Sequence, residues 1–194
     1  MQRSSIACWD AESGRALAPV ISWQDTRGAA WLRGHARRAE DVQRLTGLQL
    51  SPHYGASKLR WCLDHVPEVR SAAAQSRLRA GPLASFLLHR LLLERPLLAD
   101  ASTAARTLLW SPFERDWSGE LLDLFGIPRA ILRRATGTSH AFGTLNCDGC
   151  RIPVNTCNGD QSVVPFAAGP LDFGKIAMAL PMPCHRRAFH NGHR

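Results

Sequence analysis

Lysine is almost missing from this 194-residue chain. Of its 24 basic residues only Lys58 and Lys175 are lysines, and the others are arginines. A ratio this lopsided follows a GC-rich coding sequence more often than selection for an arginine surface. Acid is also short: 16 Asp and Glu leave a net charge of +8 and a pI of about 9.9. That balance permits a polyanionic partner without requiring one. A membrane-spanning run is lacking too. The most apolar stretch, Leu83 to Leu98, is broken by His89, Arg90, Glu94, Arg95 and Pro96, too short and too charged to cross a bilayer. Met1 to Ser5 carries no apolar signal core. The expected setting is therefore cytoplasmic, with reduced thiols and no membrane partner. No internal repeat is present. A composition of 45% hydrophobic and 21% charged residues excludes a mainly disordered, a collagen-like or a disulfide-dense chain. A chain of this size buries roughly 70% of its unfolded surface, enough for a real core.

What is there reads as mixed strand and helix, which argues α/β or α+β. Ser5 to Trp9 and Pro19 to Trp23 read as two strands of a hairpin, joined by the turn residues Asp10 to Arg15. Asp25 or Thr26 is expected to cap a helix running to about Arg38. Thr46-Gly47 breaks the chain. Tyr54 to His65 reads as a helix stopped before Pro67. Gly81-Pro82 opens a buried helix carrying Leu83, Phe86, Leu87, Leu91 and Leu92 at helical spacing. Thr107 to Trp110 is a short apolar run. Ser118 caps a helix that ends at Gly126. Asp148-Gly149 signals a tight hairpin, and a further apolar stretch covers Val163 to Ala168.

Several sequence features could carry chemistry. Gly169-Pro-Leu-Asp-Phe-Gly-Lys175 matches a phosphate-binding loop except at its last position. Ile176 replaces the Ser or Thr that would reach magnesium, and Pro170 has no N–H to offer a phosphate. A surface loop is the better reading. Cys147-Asp-Gly-Cys150 is a C-x-x-C pair with Cys157, Cys184, His185, His190 and His193 downstream. The second half lacks zinc-ligand spacing, so no metal is expected. The arginines are scattered and no nucleic-acid motif appears, so no nucleic-acid partner is expected. Asn158-Gly-Asp-Gln161 places a carboxylate beside a glycine, where the backbone can turn closely under a ligand. An aspartate there can accept a proton; read by itself, a turn or a helix cap explains it as well.

Seven blocks, in order, are similar to the FGGY carbohydrate kinases, and within them to the glycerol kinase branch. They are Gln2-Arg-Ser-Ser5 with its strand to Trp9, Ile21-Ser-Trp-Gln-Asp-Thr-Arg27, Thr46 to Pro52 with Ser57-Lys-Leu-Arg-Trp61, Gly81 to Ser85, Asp100 to Leu109, Trp117 to Pro128, and Gly159-Asp-Gln161. The resemblance covers about residues 2–178. Residues 179–194 are an irregular tail unlike the family. They hold Arg186, Arg187 and Arg194 and no acid, which leaves +5 for the rest.

The resemblance implies an α/β, ribonuclease H-like (actin-like ATPase) domain, partial and lacking its first strands. It implies transfer of the γ-phosphoryl group of ATP, with Mg2+, to a hydroxyl of a sugar or polyol. Asp160 would be the general base. Arg3, Ser4, Trp23, His53, Asp160 and Gln161 would bind substrate. A homo-oligomer is compatible with it. The family's phosphate loop would precede Gln2 and a second domain would follow Met178. The chain is therefore expected to be inactive by itself, or else to be a non-catalytic binding module that keeps the fold. Where glycerol kinases carry glutamate and tyrosine, this sequence has Ser4 and His53. The loss of a charged acceptor predicts a substrate other than glycerol.

Overall fold

In the computed structural model, residues 2–132 and 134–164 are described. The phosphate-loop-like stretch 169–175, Cys184, the tail 179–194 and the end of the apolar stretch 163–168 lie outside them.

Five consecutive buried residues, Ile6–Asp10, form strand β1. A run buried on both faces reads as unbroken apolar sequence rather than alternation. Its hydrogen-bonded partner is β2, Leu78–Pro82, which pairs antiparallel from Ile6↔Pro82 to Asp10↔Leu78. The expected hairpin with Pro19–Trp23 is present only as isolated bridges, Ile6↔Ile21 and Trp9↔Ala16. Ile6 and Ile21 exchange both main-chain bonds at 3.0 Å, but Pro19 has no N–H to continue a ladder. The intervening turn is held by the Asp10 carboxylate, which accepts from the amides of Glu12 and Ser13 at 3.1 and 2.9 Å.

The single helix expected from Asp25 to Arg38 is divided. Helix α1 covers Ala29–Gly34, a 3-10 turn covers Ala36–Arg38, and α2 covers Ala39–Thr46. Asp25 does not cap it, because its carboxylate is taken by the Arg27 guanidinium at 2.9 and 2.7 Å. Gly47 closes α2 at φ 71°, a conformation glycine adopts without steric cost. Helix α3, Gly55–His65, is buried along most of its length and ends at the extended Val66, as the following proline requires. Pro67 then starts α4, Pro67–Ala74, where a missing N–H costs nothing. Gly81-Pro82 closes β2 and, with Pro82 at the N-cap, opens α5, Leu83–Leu91, as expected.

Beyond it, β3 (Ala99–Asp100) leads into α6 (Ala101–Ala104), β4 (Trp110–Ser111) pairs with β5 (Asp116–Trp117), and α7 covers Gly119–Phe125. Ser118 stands at the N-cap of α7 without a side-chain cap bond, and Gly126 ends the helix at φ 59°. β6, Ala135–Thr136, runs parallel to β3. β7 (Ser139–Cys147) and β8 (Cys150–Thr156) form the anticipated hairpin. Its turn residues Asp148 and Gly149 have φ of 48° and 81°, the positive pair that a type I′ turn needs.

The main core joins β1 and β2 to α3, α4 and α7 through Ile6, Leu59, Val69, Leu78, Leu121 and Phe125. A smaller cluster, Ala84, Leu88, Leu92, Phe142 and Cys157, seats the hairpin on α5. Four segments thereby converge at one end: the residues before β1, the loop at Trp23, the loop at His53, and the turn after β8.

Candidate active site

The turn after β8 is set by Asp100. This fully buried carboxylate caps α6, accepting from the amides of Ser102 and Thr103 at 3.0 and 3.2 Å. The Ser102 hydroxyl also donates to it, and in turn accepts from the Gly159 amide at 3.0 Å. The next residues, Asp160–Ser162, form a 3-10 turn, closed by Ser162 N–H donating to the Gly159 carbonyl at 3.0 Å. The Asp160 carboxylate accepts from the Gln161 amide at 2.8 Å and leaves 54% of its side chain exposed.

Gly159 is a glycine because of what lies over it. Its φ of −71° suits any residue, but a Cβ there would stand 2.2 Å from the Arg3 Cγ. The Arg3 stem packs against bare backbone. Its guanidinium reaches the Gln161 side-chain oxygen and lies 3.9 Å from the Asp160 carboxylate. Burial and the nearby Arg106 charge disfavour the Arg3 cation, and Asp160 offsets them. Two segments otherwise separated by most of the chain thus form one polar wall of Arg3, Asp160 and Gln161.

The facing wall is aromatic. Trp23 and His53 meet edge to face with centroids 5.5 Å apart, and His53 packs at 90° on Tyr54. Arg106 lies 4.6 Å over the Tyr54 ring. Burial lowers the His53 pKa, and the charges of Arg106, Lys58 and Arg3 lower it further. These favour the neutral imidazole, which can both donate and accept. Ser4 is 2% exposed, and its hydroxyl has no hydrogen-bond partner among the described residues.

These pieces enclose one cavity of about 180 Å3, lined by Gln2, Arg3, Ser4, Trp23, His53, Asp160 and Gln161. That is about six times the ~30 Å3 a water occupies in the liquid, room for a small polyhydroxylated molecule. All six residues singled out from the sequence line it. Gln2 was not singled out; its side-chain oxygen accepts from the Ser5 hydroxyl at 2.8 Å. Lys58, Asp100 and Ser102 lie within the matched blocks but were given no role, since each acts on the wall from behind.

The N-terminal-domain profile of the FGGY family of carbohydrate kinases matches residues 1–167. The chain belongs to the FGGY family. It is 42% identical over 188 residues to glycerol kinase 1 of Pseudomonas aeruginosa, covering 94% of this chain and 38% of that protein. It is 40% identical over 165 residues to the glycerol kinase of Gluconobacter oxydans, covering 82% of this chain and 32% of that one. The chain therefore spans about a third of the length of these relatives. Among solved structures, Plasmodium falciparum glycerol kinase with ADP superimposes with a TM-score of 0.78 at 24% identity, covering 86% of this chain and 34% of that one. The xylulose kinase of Rhodospirillum rubrum gives 0.73 at 21%, covering 87% and 35%. The α/β, ribonuclease H-like fold expected from the sequence is the fold found.

Family membership implies nucleotide use. The described residues themselves do not fit a magnesium–nucleotide complex. Asp160 is the one carboxylate lining the cavity, and no group of three or more His, Cys, Asp or Glu side chains gathers among the described residues. No described helix is long and apolar enough to cross a membrane.

Proposed function

We propose that this chain carries the acceptor-binding wall of a kinase that moves the γ-phosphoryl group of ATP to a hydroxyl of a sugar or polyol. The observation that carries this reading is the convergence of Asp160, Arg3, Gln161, Ser4, Trp23 and His53 on one cavity. Asp160 is the general base. Its open carboxylate accepts the proton of the attacking hydroxyl. Phosphoryl transfer proceeds through a loose transition state, so a positioned carboxylate of ordinary basicity suffices. Arg3 and Gln161 hold neighbouring hydroxyls, and Trp23 covers the carbon skeleton. ATP and Mg2+ belong to this reading through the family and not through the described residues. The chain by itself is therefore expected to bind acceptor without turning it over. The acceptor is a polyol or sugar other than glycerol, because the buried Ser4 hydroxyl offers a neutral partner where a carboxylate would grip harder.

The test is a chimera in which residues 2–164 replace the matching segment of the Pseudomonas relative. ATP-dependent phosphorylation is assayed on glycerol, erythritol, xylitol and xylulose. The expected result is turnover of one of the larger acceptors in preference to glycerol, lost in Asp160→Asn. Turnover unaffected by that substitution would remove Asp160 from the reaction. A preference for glycerol would remove the specificity argument.

A further inference from the structure

Lys58 is one of two lysines in a chain full of arginine, and it is completely buried in α3. No carboxylate contacts its ammonium at salt-bridge distance among the described residues. The ammonium instead donates to three main-chain carbonyls: Ser4 at 3.3 Å, Trp23 at 3.3 Å and His53 at 2.7 Å. These lie 54, 35 and 5 positions away in sequence. Each belongs to a residue whose side chain lines the cavity.

We propose that Lys58 is the positioning residue of the acceptor cavity, its ammonium acting as a three-point tether that sets the spacing of the Ser4, Trp23 and His53 segments. The inference rests on the acceptor-site reading above for its functional meaning, but its geometry stands independently. An ammonium has three donors and no acceptor, and here each donor meets one carbonyl. Burying a cation is costly and is tolerated when its hydrogen bonds are met. If packing were the purpose, an apolar side chain of the same length would serve as well or better. A guanidinium is planar and fixes its donors in a fork. Three carbonyls converging on one point call for the compact, rotatable ammonium, which explains a lysine where this sequence otherwise uses arginine. Trp23 is 39% exposed and carries little burial of its own to fix it, so its place depends on main-chain anchors. These are the Lys58 bond to its carbonyl and the 3.2 Å bond from its amide to the Ser5 hydroxyl.

The experiment compares the full chain with Lys58→Met and Lys58→Gln by amide hydrogen exchange resolved by mass spectrometry. Met keeps the stem and has no donor; Gln is shorter and polar but keeps two donors. A tether predicts that exchange in residues 3–6, 20–26 and 50–55 rises at least tenfold in Lys58→Met and by less in Lys58→Gln. The β7–β8 hairpin, which packs in a separate core cluster, keeps its wild-type rates in both. Packing alone predicts the reverse order, with Met the milder change. That order, a uniform acceleration including the hairpin, or unchanged rates in the three segments would each overturn the proposal. Titration of each protein with xylitol and glycerol is read separately. If neither polyol binds wild type, the acceptor reading fails while the exchange pattern still decides the tether.

Discussion

Asp100 holds the turn of Gly159 and Asp160 from behind, and its removal has a calculable cost. One carboxylate oxygen accepts from the Ser102 and Thr103 amides and the Ser102 hydroxyl. The other accepts from the Thr103 hydroxyl and from the Cys157 thiol at 3.6 Å. Asp100→Ala deletes a helix cap, about 1 kcal/mol. It also leaves buried donors short of a partner, about 1–3 kcal/mol more. The Thr103 hydroxyl keeps a 3.3 Å bond to the Asp100 carbonyl, which favours the lower half of that range. The total is about 2–3 kcal/mol. For a chain of this size, each kcal/mol moves the melting temperature by about 2–4 °C, so a fall of about 4–12 °C is expected. Asp100→Asn retains the capping oxygen but turns an NH2 toward the Thr103 and Cys157 donors, and should lose about half as much. Thermal unfolding followed by circular dichroism, with urea titration as a check on the slope, measures both. A loss under 1 kcal/mol for Asp100→Ala, or equal losses for Ala and Asn, would refute the division of labour between the two oxygens.

Asp160→Asn should leave the melting temperature within about 1 °C, because an exposed carboxylate in a loose ion pair adds little stability. In the chimera it should lower kcat by at least 100-fold, within the usual contribution of a general base. Ser4→Glu should raise kcat/KM for glycerol relative to xylitol by about tenfold or more, and an unchanged ratio would show that Ser4 does not select the acceptor. The Lys58 amine is pushed down to about 8 from 10.5, chiefly by burial, with Arg27 adding to the shift and Asp25 opposing it. The unfolded chain then holds more protons than the folded one between pH 8 and 10.5, so this group's contribution to stability rises with pH across that window, by about 3 kcal/mol at the upper end. Polyol binding should move the other way and weaken above pH 8, since a neutral amine donates to only two of the three carbonyls. Urea unfolding and calorimetric titration of wild type against Lys58→Met, from pH 7 to 10, measure the two opposed slopes.

Which features were legible in the sequence follows from how local their causes are. The Asp148-Gly149 turn, the end of α3 before Pro67 and the αL closures at Gly47 and Gly126 are fixed by the φ preferences of one or two residues, and each is where the sequence puts it. β2 was not foreseen because Leu78-Arg-Ala-Gly-Pro82 has neither alternation nor β-branched residues. It is a strand because β1 needs a partner. The helix after Thr26 was misjudged because a capping aspartate and an arginine-paired aspartate look alike until Arg27 is seen folding back on Asp25. The six cavity residues were found through block order, which reports the fold they sit in, and not through any spacing of their own.

The residues that were missed share a physical character. Lys58, Asp100 and Ser102 act through main-chain atoms of other segments: three carbonyls in one case, the Gly159 amide in the other. Main-chain partners leave no trace in the identity of the residue they belong to, so no motif can name the pair. Block order placed these residues without a role, and composition added a second signal. In a chain where arginine has displaced lysine at nearly every basic position, a lysine that stays inside a helix otherwise lined with Ala56, Leu59 and Cys62 is held there by something a guanidinium cannot do. The scarcity of lysine, uninformative about the surface, marks the point where the carbonyls of Ser4, Trp23 and His53 meet one ammonium.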